Sequence, residues 1–326
     1  MDLAAQIRVS LGTSIVLGLT QGKLDVVSTT AYLMTYWEDK CRSNCSFCAQ
    51  ARESKSNNQR LARVTWPAYP TAEVLESLTT SVEQKIVHRV CIQTLNYPEV
   101  FSHIRALTKE IKRCTAVEVS VCCQPQSREL IQHLKKSGID RLGIALDGAT
   151  PQVFSKVKGG CYNWENQFSL FEEALLVFGK GKVSTHLIVG LGETERQTVE
   201  TIQRCVDLGV LPALFAFTPV PGTALEKGLA PNLASYRRVQ LARHLIVQKK
   251  TNVSGFSFSA EGRIIAFGLE NPVLEEVISS GLPFQTSGCP GCNRPFYNEG
   301  PRGPIYNYPK VPSREEISKI RDDLAD

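Results

Sequence analysis

The sequence has no apolar run approaching the ~18 residues that a membrane-crossing helix requires. It also lacks a basic run or a stripe of interleaved basic and aromatic residues. Its net charge of +5 therefore permits an acidic partner without implying nucleic acid. Residues 1–20 (MDLAAQIRVSLGTSIVLGLT) carry no basic segment ahead of their apolar stretch, and Arg8 interrupts that stretch, so the pattern is not that of a secretory signal. These absences make a cytoplasmic protein the expectation, with neither membrane nor nucleic acid among its partners. Cysteine, by contrast, is abundant: eleven in 326 residues. An odd number fits poorly with a closed disulfide set. In a reducing cytosol, clustered cysteines more often bind metal or do chemistry.

From about residue 70, short apolar runs alternate with helical patterns. Strands are expected at 29–37, 86–94, 116–123, 141–147, 182–190 and 211–219. Helices are expected near 98–112, after the cap Ser127, after the capping box Thr194/Gln197, and over 233–247. A repeated βα pattern closes into a parallel sheet or barrel. The fold expectation is α/β: a TIM-type (β/α) barrel, full or nearly full, over residues 1–280, with an N-terminal helical extension. One face of several strands is small, polar or sulfur-bearing: Arg89, Cys91 and Gln93; Ser120 and Cys122; Ser184, His186 and Ile188. A packed barrel interior is filled with branched apolar side chains, so these faces imply an open interior that holds ligands. The alternative is an open sheet with a solvated face, which parallel sheets seldom have. Residues 281–326 form a separate tail expected to pack on the barrel. Its part 281–309 is rich in Gly, Pro, Asn and Tyr and shows no period, and the last residues read as a short charged surface helix.

Cys41-Arg-Ser-Asn-Cys45-Ser-Phe-Cys48 follows the first expected strand with the spacing C-x3-C-x2-C. Three thiolates on a short loop can hold three irons of a [4Fe–4S] cluster and leave the fourth open to a cofactor, whereas four would close it as an electron carrier. A zinc knuckle lacking a ligand is the alternative, but no histidine lies near this loop. Gly-Leu-Gly-Glu-Thr at 190–194 could be a nucleotide loop, though its third glycine is missing. Asp147, ending a strand, could instead cap a helix.

CRSNCSFCAQ resembles the cysteine loop of the radical S-adenosylmethionine (SAM) enzymes, in particular its biotin-synthase form, and the resemblance runs through most of the chain. It implies a [4Fe–4S] cluster on Cys41, Cys45 and Cys48 with SAM on its open iron, and counts Phe47 among the cofactor-binding residues. HLIVGLGETERQTVE at 186–200 resembles the segment under the adenine, with Ile188 and Gly190 at matching positions. Asp147 matches the aspartate that reaches the ribose. Gln93 and Thr94 stand where relatives bind the methionine amino group through a Gly-Gly-Glu motif that is absent here.

Cys289-Pro-Gly-Cys292 needs partner ligands, and the inward-facing Cys91 and Cys122 are the natural ones. A redox pair of thioredoxin type would need a helix N-terminus following a strand, a zinc hook is the other option for the tail pair, and buried small hydrophobes are the plain alternative for Cys91 and Cys122. Cys114, Cys123, Cys161 and Cys205 read as structural, with Cys161 the best reserve ligand. Biotin synthase holds a sacrificial [2Fe–2S] cluster on three barrel cysteines and an arginine. Cys91 matches the first, Ser120 and Ser184 replace the others, and Arg263 matches the arginine only with one residue inserted. Cys91, Cys122, Cys289 and Cys292 are therefore expected to hold a second, auxiliary iron–sulfur cluster of [4Fe–4S] type. His186 is a candidate residue lining the substrate or cluster cavity. The tail motif SGCPGCNRPFYNE on this core resembles the biotin-synthase-like subunit of the two-component lipoyl synthases. That resemblance implies sulfur insertion into an octanoyl-lysine chain on a carrier protein, with a second radical SAM subunit and an electron donor such as ferredoxin or flavodoxin as partners. Biotin synthase and a non-catalytic scaffold for iron–sulfur assembly are the alternatives.

Overall fold

The computed structural model describes residues 3–300 and 302–325. The chain opens with β1 (Gln6–Val9), α1 (Leu11–Val16) and β2 (Thr30–Thr35). A small hairpin of β3 (Arg60–Leu61) and β4 (Val64–Thr65) precedes β5 (Ala68–Pro70) and α2 (Thr71–Glu83). The alternating part follows: β6 (Arg89–Gln93), α3 (Val100–Cys114), β7 (Glu118–Cys122), α4 (Arg128–Lys136), β8 (Arg141–Gly143), α5 (Pro151–Val157) and α6 (Trp164–Phe178). It continues through β9 (Val183–Val189), α7 (Glu195–Leu208), β10 (Leu211–Ala216) and α8 (Leu233–Val247). A short β11 (Ser257–Phe258), β12 (Ile264–Ala266), α9 (Asn271–Ser279) and α10 (Arg314–Ala325) complete it. Among the described residues, no helix is long and apolar enough to cross a membrane.

The strands alternate in burial because successive side chains point to opposite faces. In β9, Val183, Thr185, Leu187 and Val189 are buried under the helices, while Ser184, His186 and Ile188 turn the other way and line a cavity. β6 does the same with Val90 and Ile92 against Cys91 and Gln93, and β7 with Val119 and Val121 against Ser120 and Cys122. The helices start where the caps predict. Ser127 accepts from Leu130 N–H, and Thr194 and Gln197 form their reciprocal box. Gly209 ends α7 in the left-handed region that a glycine adopts without strain.

The expectation of a full or nearly full barrel is corrected. One eight-stranded sheet has the order β10-β9-β8-β7-β6-β2-β1-β5. Neighbours from β10 to β2 are parallel, β1 is antiparallel to both β2 and β5, and β10 and β5 form no ladder with each other. Closure fails for a local reason. The far edge of β2 is already taken by β1, and the free edge of β10 is met by side chains of the tail. Leu214 N–H donates to Ser287 Oγ (2.7 Å), Asn298 Nδ2 donates to Ala216 O (2.8 Å), and Arg294 Nη2 donates to Leu214 O (3.3 Å). An irregular segment thus satisfies an edge that a strand would otherwise pair. The expected N-terminal helical extension is also corrected, since the first element is strand β1 and only the six-residue α1 is helical.

The expected boundary at residue 280 falls inside a packed unit. Leu241 and Leu245 of α8, Val277 and Ile278 of α9, Phe284, Tyr308 and Ile320 of α10 form one cluster. The terminal helix therefore buries Ile317 and Ile320 rather than lying free on the surface.

Candidate active site

A cavity of about 270 Å³ opens inside the curved sheet and is lined by Cys41, Cys45 and Cys48 together with Cys91, Cys122, Cys289 and Cys292. The first three come from the loop after β2, at the C-terminal ends of the parallel strands. The tail enters from the opposite end. Thr29, just before β2, bonds Gly291 O and Asn293 Oδ1 (2.9 and 3.2 Å), and Arg89, at the start of β6, donates to Pro290 O (3.3 Å).

The three-cysteine loop is held by its backbone. Cys41 N–H donates to Gln50 O, Cys48 N–H to Cys45 O and Ser46 N–H to Val157 O. Asn96 N–H donates to Cys41 Sγ at 3.2 Å. Burial pushes the Cys45 thiol up to about 11 and the Cys48 thiol up to about 12, with the neighbouring loop cysteines adding to the rise. Such thiols stay protonated until a metal replaces the proton. Three thiols on one loop, facing one cavity, fit a cluster with one open iron. Among the described residues no three His, Cys, Asp or Glu side chains converge closely enough to ligate one ion. A cluster does not ask for that convergence, because each thiolate binds its own iron.

The second set is assembled from three parts of the chain. The Cys91 thiol is pushed well up, first by its hydrogen bond to Cys122 and then by burial. Cys292 Sγ lies 3.0 Å from Tyr32 OH, and burial raises its thiol. Cys289 Sγ lies 3.8 Å from Ser120 Oγ. Gly143 faces Cys122 from β8, and a Cβ there would stand 2.9 Å from Cys122 Sγ, so glycine is what leaves this sulfur its place. Cys289-Pro-Gly-Cys292 forms a tight turn, with Cys292 N–H donating to Cys289 O (3.1 Å) and no helix following, which removes the thioredoxin alternative. His186 lies beside the second set. Its Nε2 is 3.6 Å from Cys122 Sγ, its ring is 5.0 Å from that of Phe215, and burial lowers it to about 4, so the imidazole is neutral.

Asp147 lines the cavity in the left-handed region (φ 66°), fixed there by its N–H to His186 O and by Ile188 N–H to its own carbonyl, both 2.8 Å. It caps no helix, because Thr150 caps α5. Phe47, Gln93, Thr94 and Ile188 also line the cavity. Gln93 Nε2 donates to Cys91 Sγ and Thr94 Oγ1 to Cys122 O, which leaves the amide oxygen of Gln93 as an acceptor. Gly190 departs from expectation. It does not line the cavity, and a Cβ on it would meet Pro231 and Phe217. The nucleotide-loop alternative fails as well. The N–H groups of Gly190 and Leu191 are taken by the Glu193 carboxylate (2.6 and 3.1 Å), so the turn already holds an anion of its own. Arg263 is exposed in a turn away from the cavity. Cys161, the expected reserve ligand, is exposed, with its thiol turned to Gly159 O, and does not line the cavity.

Several cavity residues escaped the sequence reading. Arg294 lies 3.8 Å over the Phe215 ring, and its only sequence signal is its place two residues after Cys292. Lys158 is almost wholly buried and donates to Asp147 Oδ2 at 2.6 Å. Burial opposes the charge on that ammonium, but Asp147, Cys45 and Tyr162 together outweigh it and the lysine is raised.

Residues 38–205 match the Radical SAM superfamily. A biotin synthase of Citrifermentans bemidjiense is 26% identical over 230 residues, which are 66% of this chain and 64% of that protein. The chain thus matches less than two thirds of that relative's length. A GTP 3′,8-cyclase of Limosilactobacillus fermentum is 24% identical over 269 residues, 78% of this chain and 73% of that protein. Among solved structures, a methylornithine synthase superposes with a TM-score of 0.52 at 15% identity, covering 68% of this chain and 63% of that one, a likeness of fold. The family match spans more than half of the chain and includes the cysteine loop and Asp147, and on that ground the protein belongs to the radical SAM superfamily.

Proposed function

We propose that this radical SAM enzyme inserts sulfur at unactivated carbons, with an octanoyl chain on a carrier-protein lysine as acceptor. One observation carries the reading: two sets of cysteines, from the loop after β2 and from β6, β7 and the tail, line a single cavity. Cys41, Cys45 and Cys48 would hold a [4Fe–4S] cluster with SAM on its open iron, which with one electron from a reductant would supply hydrogen-abstracting power, and Cys91, Cys122, Cys289 and Cys292 would hold an auxiliary cluster that would supply sulfide. The chain's own part is positioning and exclusion of water. Asp147 offers its carboxylate to the ribose, and Ile188 and Phe47 offer apolar surface to the adenosine. Met34, Leu61, Trp66 and Phe217 give the cavity an apolar wall suited to an aliphatic chain. A second radical SAM subunit and a ferredoxin or flavodoxin would complete the system.

Biotin synthase is the second reading, and the curated relatives of that name favour it. Ser120 and Ser184, inside the cavity where that enzyme carries cysteines, speak against it. The test is turnover by the anaerobically reconstituted protein with dithionite and SAM, on an octanoyl-lysine peptide and on dethiobiotin, with and without the second subunit. Thiolated octanoyl-lysine, read by mass spectrometry, supports the proposal. Preferred conversion of dethiobiotin replaces it with the second reading, and a protein that cleaves no SAM would be a scaffold.

A further inference from the structure

The strongest unassigned feature of the cavity is a chain of contacts that runs from Asp147 to the three-cysteine loop. Lys158 follows the last residue of α5, where its side chain turns inward instead of reaching solvent. Its ammonium donates to Asp147 Oδ2 (2.6 Å) and to Ala145 O (3.4 Å), and stands 5.0 Å over the ring of Tyr162. Asp147 Oδ1 accepts no hydrogen bond among the described residues, so one carboxylate oxygen is held and the other is left free. Tyr162 OH bonds Ser43 Oγ (2.6 Å) and accepts from Asn96 Nδ2, and Asn96 Nδ2 also donates to Ser43 Oγ (2.7 Å). Asn96 N–H in turn reaches Cys41 Sγ.

The segment that carries Lys158 lies tightly on the same loop. Gly159 is in the left-handed region (φ 65°), and a Cβ there would stand 2.4 Å from Asn44 O, so only glycine allows the approach. Val157 O receives Ser46 N–H at 2.8 Å. A buried lysine and a buried aspartate are costly to desolvate, and a pair of this kind is weak evidence for stability alone. Here the aspartate also holds a sparsely populated backbone conformation at the cavity wall, as residues at functional sites often do.

We propose that Lys158 is a positioning residue of the SAM site: it fixes the Asp147 carboxylate toward the cavity and, over Tyr162, ties it to the loop of Cys41, Cys45 and Cys48. The inference rests on the reading of Asp147 as the ribose-binding carboxylate. It assigns Lys158 no contact with SAM. Its effect passes through Asp147.

The experiment measures SAM affinity by equilibrium dialysis on reconstituted, iron-loaded protein, with the change in the electron paramagnetic resonance spectrum of the reduced cluster on adding SAM as a second readout. Iron content and thermal melting are controls for loading and folding. Lys158→Met is expected to weaken SAM binding about tenfold with iron content unchanged, and to add no further loss in an Asp147→Asn background, because residues acting through one group are not additive. If Lys158→Met does not fold, Lys158→Gln, which keeps a donor and removes the charge, carries the same two expectations. A loaded Lys158 variant with wild-type affinity overturns the proposal. So does a loss that adds in full to that of Asp147→Asn, since the lysine would then act on the ligand independently. Wild-type affinity in Asp147→Asn alone sinks the ribose reading itself, and the inference with it, on a separate arm.

Discussion

Ser287 is the residue through which the tail most directly holds the open edge of the sheet. Its Oγ accepts the amide N–H of Leu214 at 2.7 Å, and both residues are buried. Ser287→Ala leaves that amide without a partner where water does not reach, a penalty of about 1–3 kcal/mol. In a chain this long, each kcal/mol moves the melting temperature by roughly 2–4 °C or somewhat less, so a fall of several degrees is expected. Amide exchange at Leu214 should accelerate, while exchange in α3, which packs against α2 and α4, should hold. Because Ser287 precedes Cys289 by two positions, the tail cysteines should also lose definition and iron at the second site should fall. Ser287→Thr, which keeps the hydroxyl, should restore all three. A variant that melts with the wild type and protects Leu214 equally well would show that the tail does not cap β10.

Two further outcomes follow from individual side chains. Gly143→Ala places a methyl group 2.9 Å from Cys122 Sγ and 3.4 Å from Ser184 Oγ, so it should lower iron at the second site while 5′-deoxyadenosine formation persists. Equal iron content in variant and wild type would refute the crowding argument. Glu299 is buried with Oε2 unpartnered, and burial pushes its carboxyl up to about 7. Its folded pKa thus exceeds its unfolded value near 4.3, so its cost to stability grows as pH rises from the unfolded pKa to about 7 and is constant above that. At ~1.4 kcal/mol per unit the cost reaches about 4 kcal/mol. Glu299→Gln should remove that slope in melts between pH 5.5 and 7.5, and an unchanged slope would contradict it.

Much of the site was legible because its signals are local. The C-x3-C-x2-C loop, the alternation that turns Cys91, Cys122 and His186 inward, and the Thr194/Gln197 box each depend on neighbours within a few residues. α8 runs from Leu233 to Val247, the span its pattern marks. α6 (WENQFSLFEEALLVF) was missed because its apolar residues crowd more than one face. Barrel closure was misjudged because β10 is capped by isolated side chains of a segment without a period. Glu193, Lys158 and Arg294 act through contacts set only by folding: a carboxylate turned back onto two amides, an ammonium beside an aspartate eleven positions earlier, and a guanidinium laid on Phe215.

The central claim is that two independent cluster sites share one cavity, and the direct measurement is iron and acid-labile sulfide per chain after anaerobic reconstitution. Wild type is compared with Cys289→Ala, Cys292→Ala and the triple variant Cys41/Cys45/Cys48→Ala, alongside 5′-deoxyadenosine formation and sulfur transfer. The tail variants should keep roughly half the iron, as two four-iron sites require, and should still cleave SAM while transferring no sulfur. The triple variant should keep the other half and cleave no SAM. Full iron and full sulfur transfer in both tail variants, or loss of all iron in the triple variant, would contradict the account.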